Sequence, residues 1–104
     1  MARLLTGDEI RDALAALPGW ELAGGRLVKR VTVPADSQPG LWEAIGQVAD
    51  AVDHHPEVAQ DKGAMAFTLW THSGGGVTAK DVDLAARIDC VLSGGGTDTG
   101  RTSP

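Results

Sequence analysis

The sequence predicts an α+β domain whose elements run α-β-β-α-β-β-α. Three observations predict it. Apolar residues recur at helical spacing in three separate stretches, near residues 10–17, 41–52 and 84–92. Between the first two stretches, two short runs flank Gly24-Gly25, a dipeptide that tolerates the positive φ of tight hairpin turns. Between the second and third, two further runs flank Asp61-Lys62-Gly63, a turn signal. At 104 residues the chain is long enough for one core but not for two.

The first helix is expected over about residues 7–17. Thr6-Gly7-Asp8-Glu9 reads as a capping box, in which the Thr6 hydroxyl and the Glu9 carboxylate each bond the other residue's amide. Leu5 and Ile10 are spaced for a hydrophobic staple, Ile10, Ala13, Leu14 and Leu17 form the stripe, and Pro18-Gly19 stops it. Trp20 to Leu22 and Leu27 to Val33 follow as a hairpin. Alternation puts Leu27, Val31 and Val33 on one face, with Lys29 breaking the pattern. Residues 34–40 are rich in breakers and read as a loop. From Leu41 the stripe is Leu41, Ile45, Val48 and Val52, and its extension by three residues turns His55 inward and leaves His54 at the edge. Pro56 forbids continuation, so both imidazoles are expected at a helix C-terminus.

Residues 57–60 read as a short strand and 64–71 as a longer one. In the longer strand Met65, Phe67, Leu69 and Thr71 share one face, while Ala66, Thr68, Trp70 and then His72 share the other. Gly74-Gly75-Gly76 is a turn; it has neither of the glycine-lysine or glycine-triplet patterns of a phosphate cradle. Thr78-x-x-Asp81 is a second capping box, opening a helix with the buried stripe Leu84, Ala85, Ile88, Val91 and Leu92. Asp81 starts on the buried side of that helix. With no tyrosine and one phenylalanine, Trp20, Trp42 and Trp70 are expected to carry most of the aromatic packing. Residues 1–92 thus read as a single domain, and 93–104, which hold no apolar residue, as a flexible tail.

Composition removes several function classes. A net charge of −5 is a poor match for phosphate backbones, so no nucleic acid partner is expected. The first eight residues hold no apolar run of signal-peptide length, and no stretch approaches a membrane span. The single cysteine, Cys90, cannot close an internal disulfide and suits a reducing compartment, so a cytoplasmic location is expected.

All three histidines, His54, His55 and His72, lie within nineteen residues. Imidazole is the side chain best able to give and take protons near neutrality. An imidazole at a helix end can serve merely as a cap, but three converging from a helix end and a strand end favour a site. Zinc is disfavoured, because adjacent His54 and His55 diverge by about 100° around a helix and no HExxH motif or cysteine pair accompanies them. Asp81 can cap its helix and also orient an imidazole.

Asp53-His54-His55-Pro56-Glu57, Thr71-His72, Gly75-Gly76-Val77-Thr78, Asp81 and Leu84-Ala85-Ala86-Arg87-Ile88-Asp89 together resemble the pterin-4a-carbinolamine dehydratases, over about residues 5–92. The resemblance implies a four-stranded antiparallel sheet with three helices packed on one face. It also implies dehydration of a 4a-hydroxytetrahydropterin to the quinonoid dihydropterin, with no metal or cofactor. His54, His55, His72 and Asp81 fall at the family's catalytic positions, and Asp53, Pro56, Trp70, Thr71 and Ser73 at or beside its pterin contacts. The chain departs from the family at Asp50-Ala51, Val58-Ala59 and Val31 to Pro34, positions of the pocket wall. A homodimer or homotetramer is expected, since a sheet with helices on one side leaves an edge or face needing cover. In the division of labour His54 and His72 are the expected acid-base pair, and His55 mainly holds the pterin. The competing reading is a non-catalytic member of the same fold, acting as an assembly factor or protein-binding module. A pure scaffold, however, has no need of proton-transfer groups.

Overall fold

A computed structural model of the chain describes residues 3–93. The expected tail therefore lies outside the described residues apart from Ser93. The elements are α1 (Gly7–Ala15), β1 (Glu21–Ala23), β2 (Arg26–Thr32), α2 (Gln38–Val52), β3 (Glu57–Gln60), β4 (Ala64–Leu69) and α3 (Ala79–Leu92), in the expected order. The sheet is antiparallel throughout, with strand order β1-β2-β4-β3.

Both expected capping boxes are present. At α1 the Thr6 hydroxyl accepts from the Glu9 amide at 3.1 Å, and the Thr6 amide donates to the Glu9 carboxylate at 2.9 Å. This helix ends two residues before the expected limit. The amides of Ala16 and Leu17 bond back only three residues, to Ala13 and Leu14, which tightens the last turn and drives Leu17 into the core. Gly19 then takes φ +86°, where a Cβ would meet the Lys29 side chain at 3.1 Å. The hairpin turn has both Gly24 and Gly25 at positive φ, the condition for a turn whose twist matches the strands.

Register explains how Lys29 interrupts an apolar face. Leu27 pairs with Leu69, Lys29 with Phe67 and Val31 with Met65, so Lys29 points toward the helices. Its ammonium reaches Asp89 at 2.9 Å and the Pro18 carbonyl at 3.0 Å, and Asp89 also accepts the Trp20 indole N–H at 2.8 Å. The charge is thus neutralised where it is partly buried, as a buried charge must be.

The helix α2 begins inside the stretch expected to be a loop, after a 3-10 turn at Ala35–Ser37. Pro39 lies in its first turn, where a missing N–H breaks no helical bond. The buried Gln38 amide donates to the carbonyls of Val33 at 3.0 Å and Asp61 at 2.8 Å, tying the helix start to the sheet. Strand β4 stops at Leu69, two residues short of the expected limit; Thr71 instead forms an isolated bridge with Gly76.

The core is one cluster. Leu27, Met65, Phe67 and Leu69 from the inner sheet face meet Ile10, Ile45, Leu84 and Ile88 from the three helices. All three helices therefore lie on one side of the sheet. Each such side chain contributes about 1.5–3 kcal/mol relative to staying exposed. Trp20 is buried, but Trp42 is 50% exposed, contrary to its expected share in packing. It follows Leu41 in sequence and so stands about 100° around α2 from the buried stripe.

Candidate active site

The site begins at the first turn of α3. The sequence places a hydrogen-bonding residue at the cap and a carboxylate three positions later, and the fold buries both: Thr78 is 2% and Asp81 0% exposed. The Thr78 amide donates to Asp81 Oδ2 at 2.8 Å and the Thr71 hydroxyl donates to the same oxygen at 2.9 Å. Having spent its hydrogen there, Thr71 accepts from the Thr78 hydroxyl at 2.7 Å. This arrangement leaves Asp81 Oδ1 for a single partner, His54 Nε2, at 2.5 Å.

A carboxylate only accepts hydrogen bonds, so the His54 nitrogen facing it carries the hydrogen. In neutral His54 the other nitrogen, Nδ1, is then the lone-pair site. The arrangement fixes ring orientation and tautomer together, as a carboxylate behind a histidine commonly does.

The inward member of the histidine pair is therefore His54, which reverses the expectation for His55. The cause is Asp53, the one non-glycine residue among those described with positive φ (φ 52°, ψ 44°). The helix ends at Val52, and the left-handed Asp53 swings the following chain off the helical path. The His54 amide bonds back to the Ala49 carbonyl at 3.1 Å. Extrapolating the apolar stripe to His55 assumes a helix that has already stopped. His54 has 13% of its side chain exposed against 59% for His55, whose Nε2 instead meets the exposed Asp50 at 2.7 Å.

His72 comes from a different segment, the turn that follows β4. Gly74 and Gly75 amides bond back to the Thr71 carbonyl at 3.1 and 2.8 Å, and Gly75 adopts φ 73°. As the alternation predicts, His72 shares a side with Trp70; their ring centroids are 4.4 Å apart at an interplanar angle of 41°. The guanidinium of Arg26 lies 4.0 Å from the Trp70 ring centroid.

Asp53, His54, His55, Thr71, His72, Ser73 and Lys80 line one open cleft of about 450 Å³. Asp81 lies behind it, reached through His54. Pro56 and His55 line a neighbouring apolar groove with Trp42, Ala49 and Phe67, and Trp70 stands beside His72 without lining the cleft. Thr78 was expected as the cap of α3 but not as a support of the site, and Lys80 and Arg26 were not singled out by the sequence. Lys80 lies inside the Thr78–Asp81 capping box, a signal that could have found it; Arg26 carries no local signal, because its contact runs to a residue distant in the chain. Among the described residues, no group of three His, Cys, Asp or Glu side chains is arranged to hold a metal ion, and no helix is long and apolar enough to cross a membrane.

Comparison with known proteins follows the same stretch of chain. The family described as pterin 4 alpha carbinolamine dehydratase matches residues 3–91. A protein of Mycobacteroides abscessus, provisionally named a pterin-4-alpha-carbinolamine dehydratase, is 44% identical over 88 residues, covering 83% of this chain and 93% of its own. One of Nocardia farcinica with the same provisional name is 39% identical over 89 residues, covering 83% and 92%. Among solved structures, a transcriptional coactivator/pterin dehydratase from Brucella melitensis superposes with a TM-score of 0.81 at 28% identity, over 86% of this chain and 98% of that one. A pterin dehydratase-like protein identified as a RuBisCO assembly factor in the alpha-carboxysome shares the fold, with a TM-score of 0.59 at 18% identity.

Proposed function

The chain belongs to the pterin 4 alpha carbinolamine dehydratase family, and from that premise we propose that it converts 4a-hydroxytetrahydropterins to quinonoid dihydropterins and water by histidine acid-base catalysis. The observation that carries the reading is His54, held through Nε2 by the buried Asp81 in a cleft that His72 also lines. In the reaction the N5 electron pair expels the C4a hydroxyl as water, the C4a–N5 double bond forms, and N5 loses its proton. One proton must reach the leaving oxygen and one must leave N5. Two imidazoles reaching the cleft from different segments suit that exchange better than two on one side. His54 and His72 are the acid-base pair, with Asp81 positioning His54. His55, more exposed at the rim beside Asp53, holds the pterin, together with backbone around Pro56 and Ser73.

The reading as a non-catalytic assembly factor or binding module has a shared fold behind it, at an identity that speaks to the fold alone. The capping box accounts for Asp81 Oδ2 in either reading, but only the catalytic reading gives a use to the bond from Oδ1 to a cleft histidine. Purified protein mixed with a 4a-hydroxytetrahydropterin should speed the appearance of the quinonoid dihydropterin above the unaided rate. No acceleration over buffer would end the enzymatic reading. The exposed Trp42 and Leu22 and the outer edge of β3, unpaired among the described residues, support a homodimer or homotetramer. Sedimentation showing monomer alone at micromolar concentration would count against that assembly.

A further inference from the structure

We propose that Arg26 and Trp70 are positioning residues for His72: the indole of Trp70, clamped by the Arg26 guanidinium, fixes the orientation of the His72 imidazole at the cleft. The proposal rests on the reading of His72 as one of the acid-base pair, and it gives Trp70 a role other than the expected contact with substrate.

The three histidines differ in what holds them. His54 is fixed by Asp81 and His55 meets Asp50, each through a ring nitrogen. Among the described residues, no hydrogen bond reaches the ring of His72. The residue is exposed and lies in a turn rather than in a strand. An exposed imidazole with no hydrogen bond would sample several rotamers and would present its nitrogens in the productive direction only part of the time. The contact that restricts it is the Trp70 ring, 4.4 Å away between centroids.

Trp70 is in turn held from the neighbouring strand. The pairing of Leu27 with Leu69 brings Arg26 opposite Trp70 across the sheet. Its guanidinium sits 4.0 Å from the ring centroid, within the range of a cation–π contact. Arg26 forms no ion pair among the described residues, so its charge is committed to that ring. It also follows directly on Gly24-Gly25, so the tight hairpin sets where the guanidinium can stand. The β1–β2 hairpin, which supplies nothing to the cleft itself, reaches the chemistry through this stack.

The test combines imidazole proton NMR with kinetics of the dehydration. With three histidines the His72 resonances are assigned by their loss in His72→Gln. In the wild-type protein the indole ring current displaces the His72 ring protons from their free-peptide positions. Trp70→Leu should return them, Arg26→Gln should return them part of the way, and Arg26→Lys should keep the displacement. In the two damaging variants kcat should fall about tenfold while KM changes by less than about twofold, since orientation rather than binding is lost. Arg26 is exposed, so Arg26→Gln keeps the question answerable if Trp70→Leu does not fold. Undisplaced His72 protons in the wild type, or unchanged kcat in Arg26→Gln after the displacement is lost, would overturn the proposal. Should the wild type show no dehydration at all, the proposed function falls, and the ring-proton shifts still decide the stack by themselves.

Discussion

Two neighbouring residues of one type, His54 and His55, each face an aspartate through Nε2, at 2.5 Å and 2.7 Å. The distances are alike and the environments are not. Asp81 is fully buried and braced by Thr71 and Thr78, whereas Asp50 leaves 77% of its side chain to solvent. Water competes for both members of the outer pair, and such exposed pairs are worth about 0–1 kcal/mol. Asp81 has no such competitor, and removing it strands buried polar groups. Contact distance alone therefore does not distinguish a site from a surface pair. Burial and the number of independent bonds to the carboxylate do.

The widest separation should appear in turnover. His54→Ala removes a proton-transfer group and should lower kcat by about 10²–10⁴-fold, as should His72→Ala. The loss will sit toward the lower end if the substrate dehydrates appreciably unaided. His55→Ala should raise KM more than it lowers kcat. Steady-state kinetics on the folded variants would break the comparison if His55→Ala alone abolished turnover while the variants at 54 and 72 kept it.

Stability should separate the same two sites next. Asp81→Ala leaves the His54 ring, the Thr71 hydroxyl and the Thr78 amide without their acceptor, and should cost about 3 kcal/mol. Asp50→Ala should cost about 0–1 kcal/mol. Urea unfolding reads both. A double-mutant cycle sharpens the result: coupling between positions 54 and 81 should exceed that between 55 and 50. Equal coupling at the two sites would mean that burial of Asp81 has no energetic consequence for His54.

The same contrast shows what the sequence could and could not disclose. The Thr78–Asp81 capping box is local, and three residues of spacing were enough to place that carboxylate on the buried side of α3. The order of elements was legible for a similar reason, since each apolar period lies within one element. The choice between His54 and His55 was not legible by extending the stripe, because a single left-handed residue, Asp53, redirects everything after Val52. Aspartate tolerates that conformation better than most residues, so Asp53 before a histidine pair and Pro56 was the available hint. Lys29 is the clearest failure of pattern alone. Its break in alternation was visible, but its partner Asp89 lies 60 residues away on another element. Arg26 on Trp70 is a cross-strand contact of the same kind.

The smallest expected effect concerns a third carboxylate, Glu9, which combines features of the two aspartates. Like Asp50 it lies at the surface, with 42% of its side chain exposed. Like Asp81 it closes a capping box and takes several bonds: both guanidinium nitrogens of Arg3 at 2.9 Å and the Thr6 amide at 2.9 Å. The Arg3 hydrogen bonds first, and the Thr6 amide second, hold the Glu9 carboxyl well below its ordinary value of 4.5, at about 2. A carboxylate with a lowered folded-state pKa stabilises the fold fully above its unfolded value and loses that contribution as pH falls through its folded value. The Glu9 contribution should therefore be complete above pH 4.5 and disappear as pH falls toward about 2. Arg3→Ala should move the Glu9 titration, followed by carboxyl-carbon NMR, back toward 4.5 while the Thr6 amide keeps it below that value. Added salt should shift the wild-type titration the same way, because the pair is open to solvent. If Arg3→Ala leaves the Glu9 titration where it was, the capping amide alone sets it, and bond number at an exposed carboxylate outweighs the neighbouring charge.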